Sequence, residues 1–168
     1  VYLTPYSTRI SYRASQLENY ANQRPDLKIV YLNVGDLVQV GDASGKVMGP
    51  TDSTTRAPYQ YTEYTLLENR NIIYENDSSL AMIFQCGNTK YFTAGDCYGR
   101  EAKALVDAYG SGLKCDIMKM NHHGIGSGNS ADLISAISPK YSFVPNSGVE
   151  KYSQTSDHWR TYTATKRA

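Results

Sequence analysis

Histidine is scarce in this chain, and none of its three histidines precedes position 122. Chemistry that depends on an imidazole is therefore confined to the last third of the chain. Cysteine is equally sparse. Cys86, Cys97 and Cys115 are odd in number and lack Cys-x-x-Cys spacing, which excludes a closed disulfide framework. No stretch approaches the roughly 18 consecutive apolar residues that span a membrane, and no signal-peptide pattern is present. Neither sign of charge is in excess: 17 basic residues face 16 acidic ones, for a net charge of +1. That balance argues against a polyanion-binding surface built from bulk charge. The chain also lacks a Gly-x-Ser-x-Gly elbow and a phosphate loop ending in Gly-Lys-Ser/Thr.

What is present fits one globular domain. The 168 residues, 40% apolar and 20% charged, suffice for a real core. Tyrosine dominates the aromatics, with 15 residues against three phenylalanines and one tryptophan. Its amphipathic ring suits a contact surface and equally suits the half-exposed faces of an edge-rich β fold.

Periodicity divides the chain into four stretches. In residues 1–50, Tyr12, Leu17, Tyr20 and Ala21 form one stripe of a helix over 9–23, stopped at Arg24-Pro25. Short strands follow at Ile29–Leu32, Leu37–Val40 and Lys46–Met48, with turns at Gly35-Asp36 and Gly41-Asp42. Residues 51–76 are polar and rich in Thr and Tyr. They are too long for an idle loop and are expected to cover a face or frame a cleft. The best-patterned stretch is 77–147. A strand over Ser79–Cys86 turns at Gly87-Asn88 and returns over Lys90–Thr93. A helix over 99–109 places Ala102, Leu105, Val106 and Tyr109 on one face and stops at Gly110. A strand over Asp116–Met120 comes next. Asn129 or Ser130 then caps a helix through Ile137, Pro139 stops it, and a last strand covers Tyr141–Val144. Residues 148–168 read as a polar tail. Strands alternating with helices predict a layered α/β fold.

Two of these strands run into ligand-type side chains. One ends in Thr93-Ala-Gly95-Asp96, the other in Asn121-His122-His123-Gly124. A carboxylate and a neutral imidazole at adjacent strand ends can face one point in space, and that donor pair suits zinc or a similar divalent ion. Alone, Asp96 reads equally as a turn former or helix cap, and a histidine as a satisfied structural residue. Their order and shared strand–helix–strand spacing favour the metal reading. Cys97 offers a further ligand or a small buried filler, and the filler is preferred. Lys119 alternates with its strand and is read as part of a solvated face. Gly124-Ile-Gly126-Ser-Gly128 lacks the third spaced glycine of a dinucleotide fingerprint. It is read as a flexible lip over the metal site, with Ser127 as a phosphate contact.

Ser79-Leu-Ala-Met-Ile83, Tyr91-Phe-Thr-Ala-Gly-Asp96, Glu101 with Leu105, Cys115-Asp-Ile-Met-Lys-Met-Asn-His-His-Gly124, Ser127 and Ile137-Ser-Pro139 together resemble the metallo-β-lactamase fold. Within it they look closest to the hydrolases similar to DNA-uptake competence proteins and to phosphorylcholine esterases of Gram-positive cell surfaces. The resemblance is close over 77–147 and looser over 27–50, where Gly49-Pro50 matches a break between strands. It implies an αββα sandwich and two divalent metal ions, zinc being the natural choice. It also implies Asp96 as the carboxylate that bridges them. One of His122 and His123 would be the last ligand of the second ion, with the other outside it or on a phosphate; the sequence leaves open which. Two such ions activate a water and clamp the departing oxygen of a phosphoester. Tyr152 and His158 lie where the family often makes further substrate contacts.

The family's main ligand set, His-x-His-x-Asp-His, is missing here, as is a further histidine before Asp96. Either the chain is the C-terminal half of a longer fold, or it descends from one that lost its metal site. Its start at Val1 rather than Met and its immediate entry into mid-fold features favour the first. Half a sandwich leaves the inner face of its sheet uncovered, so association with an N-terminal half or a second copy is expected. The functional expectation is a metal-dependent phosphoester hydrolase. The alternative is a non-catalytic module whose Tyr-rich region 59–74 engages a glycan, peptide or cell-wall polymer. Nucleic-acid binding through tyrosine stacking is a weaker third reading, opposed by the near-neutral charge. The tyrosine-rich, cysteine-poor composition fits a surface protein of a Gram-positive bacterium.

Overall fold

Residues 1–5, 12–51, 75–124 and 126–145 are described by the structure, a computed structural model. They form a mixed α/β arrangement with two sheets. A small parallel sheet pairs β1 (Tyr2–Leu3) with β2 (Val30–Tyr31), and helix α1 (Tyr12–Asn22) lies between them in the chain. A six-stranded sheet follows, in the spatial order β3 (Leu37–Val40), β4 (Ala43–Gly49), β5 (Ala81–Cys86), β6 (Thr89–Thr93), β7 (Ile117–Lys119) and β8 (Tyr141–Phe143). Strands β3 to β6 are antiparallel, whereas β6, β7 and β8 are mutually parallel. Helix α2 (Gly99–Tyr109) connects β6 to β7, and helix α3 (Ala131–Ile137) connects β7 to β8.

Local chemistry explains most boundaries. The β5–β6 hairpin closes on Gly87, whose φ of 56° is open to glycine at little cost, and Cys86 pairs with Thr89 across it. Helix α2 receives no cap from its own N-cap residue, Tyr98. Asp77 caps it instead, accepting from Tyr98 N (3.1 Å) and Glu101 N (3.3 Å). In α3 the Ser130 hydroxyl accepts from Leu133 N at 3.2 Å, so Ser130, not Asn129, is the cap. Apart from Leu37–Val40, the expected strands shift by one to three residues at an end, and two of the shifts have a plain cause. β4 begins at Ala43, earlier than Val/Met content suggests, because it is paired on both sides. The strand expected over Ile29–Leu32 shrinks to two residues because its partner β1 is equally short.

The main core lies between the sheet and helices α2 and α3. Phe92, Met118, Met120 and Ala81 pack there with Leu105, Leu113, Leu133, Ile134 and Ile137. Each large side chain buried this way contributes about 1.5–3 kcal/mol. The opposite face carries a second cluster of Leu32, Val38, Val47 and Met82, flanked by Leu80 and Phe84. Toward β8 this face becomes aromatic: Tyr91 stacks on Phe143 (centroids 6.1 Å apart, planes at 8°) and meets Phe84 at 6.5 Å. Phe143 and Tyr141 remain exposed. No helix among the described residues is long and apolar enough to cross a membrane.

Candidate functional site

The parallel strands β6 and β7 lie side by side, and their C-terminal ends open at one edge of the sheet. In open α/β sheets this is the usual place for a ligand. The first end delivers Gly95-Asp96 and the second Asn121-His122-His123. The two turns are stitched together through one carbonyl. Gly95 O accepts from His122 N at 3.2 Å and from Lys119 Nζ at 2.8 Å.

His123 is the histidine that faces Asp96. Its Nε2 lies 3.6 Å from Asp96 Oδ2, and its Nδ1 lies 2.8 Å from the Pro145 carbonyl oxygen. A carbonyl can only accept, so this hydrogen bond places a proton on Nδ1. In the neutral ring, Nε2 is then an acceptor turned toward another acceptor. That approach is unfavourable unless a proton or a cation lies between them. Two ligands held on one tetrahedral zinc at about 2.0–2.1 Å stand roughly 3.3 Å apart, so the observed spacing needs only a small adjustment. A backbone carbonyl on the far nitrogen is also the common outer support of a metal-binding imidazole. The residues present therefore fit part of a zinc-type site. The neighbouring His122 is half-buried. Its ring meets Tyr98 edge-on, with centroids 4.7 Å apart at 86°.

The turn that presents these rings is strained. His122 and His123 have φ of 42° and 56°, a left-handed conformation that costs a non-glycine residue about 1–2 kcal/mol. A buried polar brace holds it. Asn121 is wholly buried; its N–H donates to Asn129 Oδ1 at 2.8 Å and its Nδ2 to Gly128 O at 2.9 Å. Asn129 Nδ2 returns a bond to Asn121 O at 2.9 Å. Gly128 fits so closely that an added Cβ would stand 2.2 Å from Cys97 O. The segment expected to be a flexible lip is thus a fitted wedge on its Gly128–Asn129 side. Asn129 serves this brace instead of capping α3.

Lys119 also departs from expectation. Strand alternation does direct it away from α2 and α3, but β7 ends there, and the half-buried side chain folds over onto Gly95 O and, at 3.4 Å, Met120 O. Burial lowers its pKa, and the charge of Asp96 pulls in the other direction.

The remaining candidates separate cleanly. Cys97 is fully buried, its Sγ donates to Tyr98 O at 3.3 Å, and burial pushes its thiol well above the ordinary range, helped by Glu101 and Asp77. A buried thiol disfavoured as thiolate behaves as the filler. Glu101, also buried, accepts from Thr51 N (2.6 Å) and Thr51 Oγ1 (3.0 Å) and anchors that chain segment to α2. Asp116 sits at the other end of β7, bonded to Lys90 N at 2.9 Å and Lys140 Nζ at 2.8 Å, and is structural. Only the backbone of Ser127 is described, and Tyr152, His158 and the Tyr-rich region 59–74 lie outside the described residues.

Among the described residues, no three His, Cys, Asp or Glu side chains gather where they could hold a metal. The site as described offers one carboxylate and one imidazole. Sequence reasoning missed Asn121, Asn129 and the Pro145 carbonyl; the pair of asparagines flanking a glycine-rich segment was the available signal. No protein-family model and no curated protein matches the chain.

Proposed function

We propose that the strand-end site is part of the metal centre of a phosphoester hydrolase with metallo-β-lactamase-like architecture. The supporting observation is the His123 ring, whose Nδ1 meets the Pro145 carbonyl while its Nε2 faces the Asp96 carboxylate across 3.6 Å. In this reading Asp96 and His123 hold a divalent ion, zinc by the nature of the donors. Such ions, when bound, activate a water and stabilise the departing oxygen of a phosphoester. The chain's own residues do the rest. The Pro145 carbonyl fixes the tautomer, the Asn121–Asn129 brace fixes the strained backbone, and Tyr98 keeps the His122 ring in its own position.

Two donors do not fill the four positions of zinc. The reading therefore requires further ligands, from a partner that supplies the other half of the sandwich or from a second copy. The exposed Phe143 and Tyr141 beside the Tyr91 stack support a covered face of this kind. The same aromatic row is what favours the alternative, a module that binds a glycan or cell-wall polymer on a hydrolase-like scaffold.

The deciding experiment is calorimetric titration with Zn²⁺, paired with hydrolysis of a chromogenic phosphodiester, on the wild type and Asp96→Asn. The hydrolase reading expects zinc binding that the substitution weakens at least about tenfold and any activity to vanish with it. Binding of wall polymer that is indifferent to Asp96→Asn, with no zinc uptake, would establish the alternative.

A further inference from the structure

We propose that Lys119 is a positioning residue of this site, clamping the turn that carries Asp96. The inference rests on the metal reading for its purpose but on geometry for its content. Lys119 Nζ donates to Gly95 O at 2.8 Å, and that carbonyl belongs to the peptide plane leading directly into Asp96. Fixing the plane fixes the direction in which the Asp96 Cα–Cβ bond leaves the chain. The same oxygen accepts His122 N at 3.2 Å, so one atom ties together the two turns whose side chains must converge.

The choice of side chain is informative. Gly95 O already has a backbone donor, so satisfying it does not require a lysine. A half-buried ammonium costs desolvation, and ordering its long stem costs rotamer entropy. Lys119 makes no ion pair among the described residues; its bonds go to Gly95 O and Met120 O. The arrangement makes sense if the position of the Gly95–Asp96 peptide matters more than the cost of holding it.

The test compares the wild type with Lys119→Met, Lys119→Gln and Lys119→Arg. Co²⁺ is titrated and followed by its visible absorption. Amide hydrogen exchange at His122 is followed by NMR in the metal-free protein. Lys119→Met should weaken Co²⁺ binding about tenfold or more, as loss of an outer support typically does, and alter the cobalt spectrum. It should also speed His122 exchange about tenfold. Lys119→Arg, which keeps a charged donor, should restore both, and Lys119→Gln should fall between. Equal or tighter Co²⁺ binding by Lys119→Met would overturn the proposal, because the lysine would then be a bystander or a competing charge. If the wild type takes no Co²⁺ at all, the donors of this chain do not hold an ion by themselves, an outcome separate from the clamp. Exchange at His122 then judges the clamp alone, and an unchanged rate refutes it. Should Lys119→Met not fold, the Lys119→Gln and Lys119→Arg pair carries the same comparison.

Discussion

The Asp96 carboxylate and the His123 imidazole face each other across 3.6 Å, held there from opposite sides: Asp96 by the Gly95 turn, His123 by the Pro145 carbonyl. Neither residue is deeply buried, so the pair does little for stability. What holds it is expensive by comparison: two consecutive left-handed histidines and a buried asparagine brace. Strain maintained around a solvent-accessible pair of ligand-type groups points to the pair as the reason for the strain.

That strain can be measured by removing the imidazole in two ways. His123→Ala and His123→Gly both lose the ring, but only alanine keeps the penalty of φ 56°. His123→Gly should be the more stable of the two by about 1 kcal/mol, the cost of a left-handed Cβ less the entropy of glycine. Urea unfolding of both variants reads the difference. Equal stability would mean that the backbone relaxes once the ring is gone.

The brace makes a larger prediction. Asn121→Ala leaves Asn129 Oδ1 with its backbone donor but strips Gly128 O of its partner in a wholly buried setting. The expected loss is about 1–3 kcal/mol. Gly128→Ala should cost a similar amount or more, because its Cβ would meet the rigid Cys97 carbonyl at 2.2 Å. Both changes should also shift the His122 and His123 ring resonances in an NMR spectrum. A destabilised protein with unmoved histidine signals would detach the brace from the site.

Much of this architecture could be read in advance, and particular residues show why. Gly99–Tyr109 and Leu37–Val40 were legible because their signals are local: a helical stripe ended by Gly110, and an apolar run between two glycine turns. The convergence of Asp96 with the His122–His123 turn was legible because strand–helix–strand connectivity places consecutive parallel strands side by side. Which of the two rings turns toward Asp96 was not, since it depends on Pro145, some twenty residues later, and on the Tyr98 ring. Nor was the reach of Lys119, because alternation predicts a face of a strand and not what a long side chain does where the strand stops. The fit of Gly128 against Cys97 is a tertiary contact with no local signature.

Away from the site, the Asp116–Lys140 pair sets part of the acid limb of stability. Lys140, then the Lys90 amide, hold the Asp116 carboxyl below its ordinary value, and Asp116 in turn raises Lys140. A carboxylate with a depressed folded pKa adds stability above its unfolded value of about 3.9, and that contribution is lost as pH falls through the folded value. For Lys140 the sign is reversed: its contribution is complete below about pH 10.4 and lost as pH rises through its raised value. The pair should therefore help between roughly pH 4 and 10 and disappear at both ends. Lys140→Met should make unfolding less steeply dependent on pH below 4, as followed by circular dichroism. An unchanged acid limb would assign it to other carboxylates.

The three cysteines should differ sharply in reactivity, and the difference bears on the metal site. Cys86 is exposed at the end of β5, whereas Cys97 and Cys115 are buried. Burial raises the Cys115 thiol to about 11 and drives Cys97 higher than its ordinary value as well. Thiolate is the reactive form, so at pH 8 a chromogenic disulfide should label one thiol quickly in the folded protein and all three in urea. Cys86→Ser should remove the fast phase. Zinc ligation by Cys97 makes a different prediction: the thiol would be held as thiolate, and a chelator would release it for labelling. Repeating the reaction on zinc-loaded protein before and after chelation separates the two. If the fast phase stays at one thiol in both states, Cys97 remains buried with or without zinc, as a filler does. A second fast thiol that appears only after chelation would return Cys97 to the ligand set and require the wedge at Gly128 to move with it.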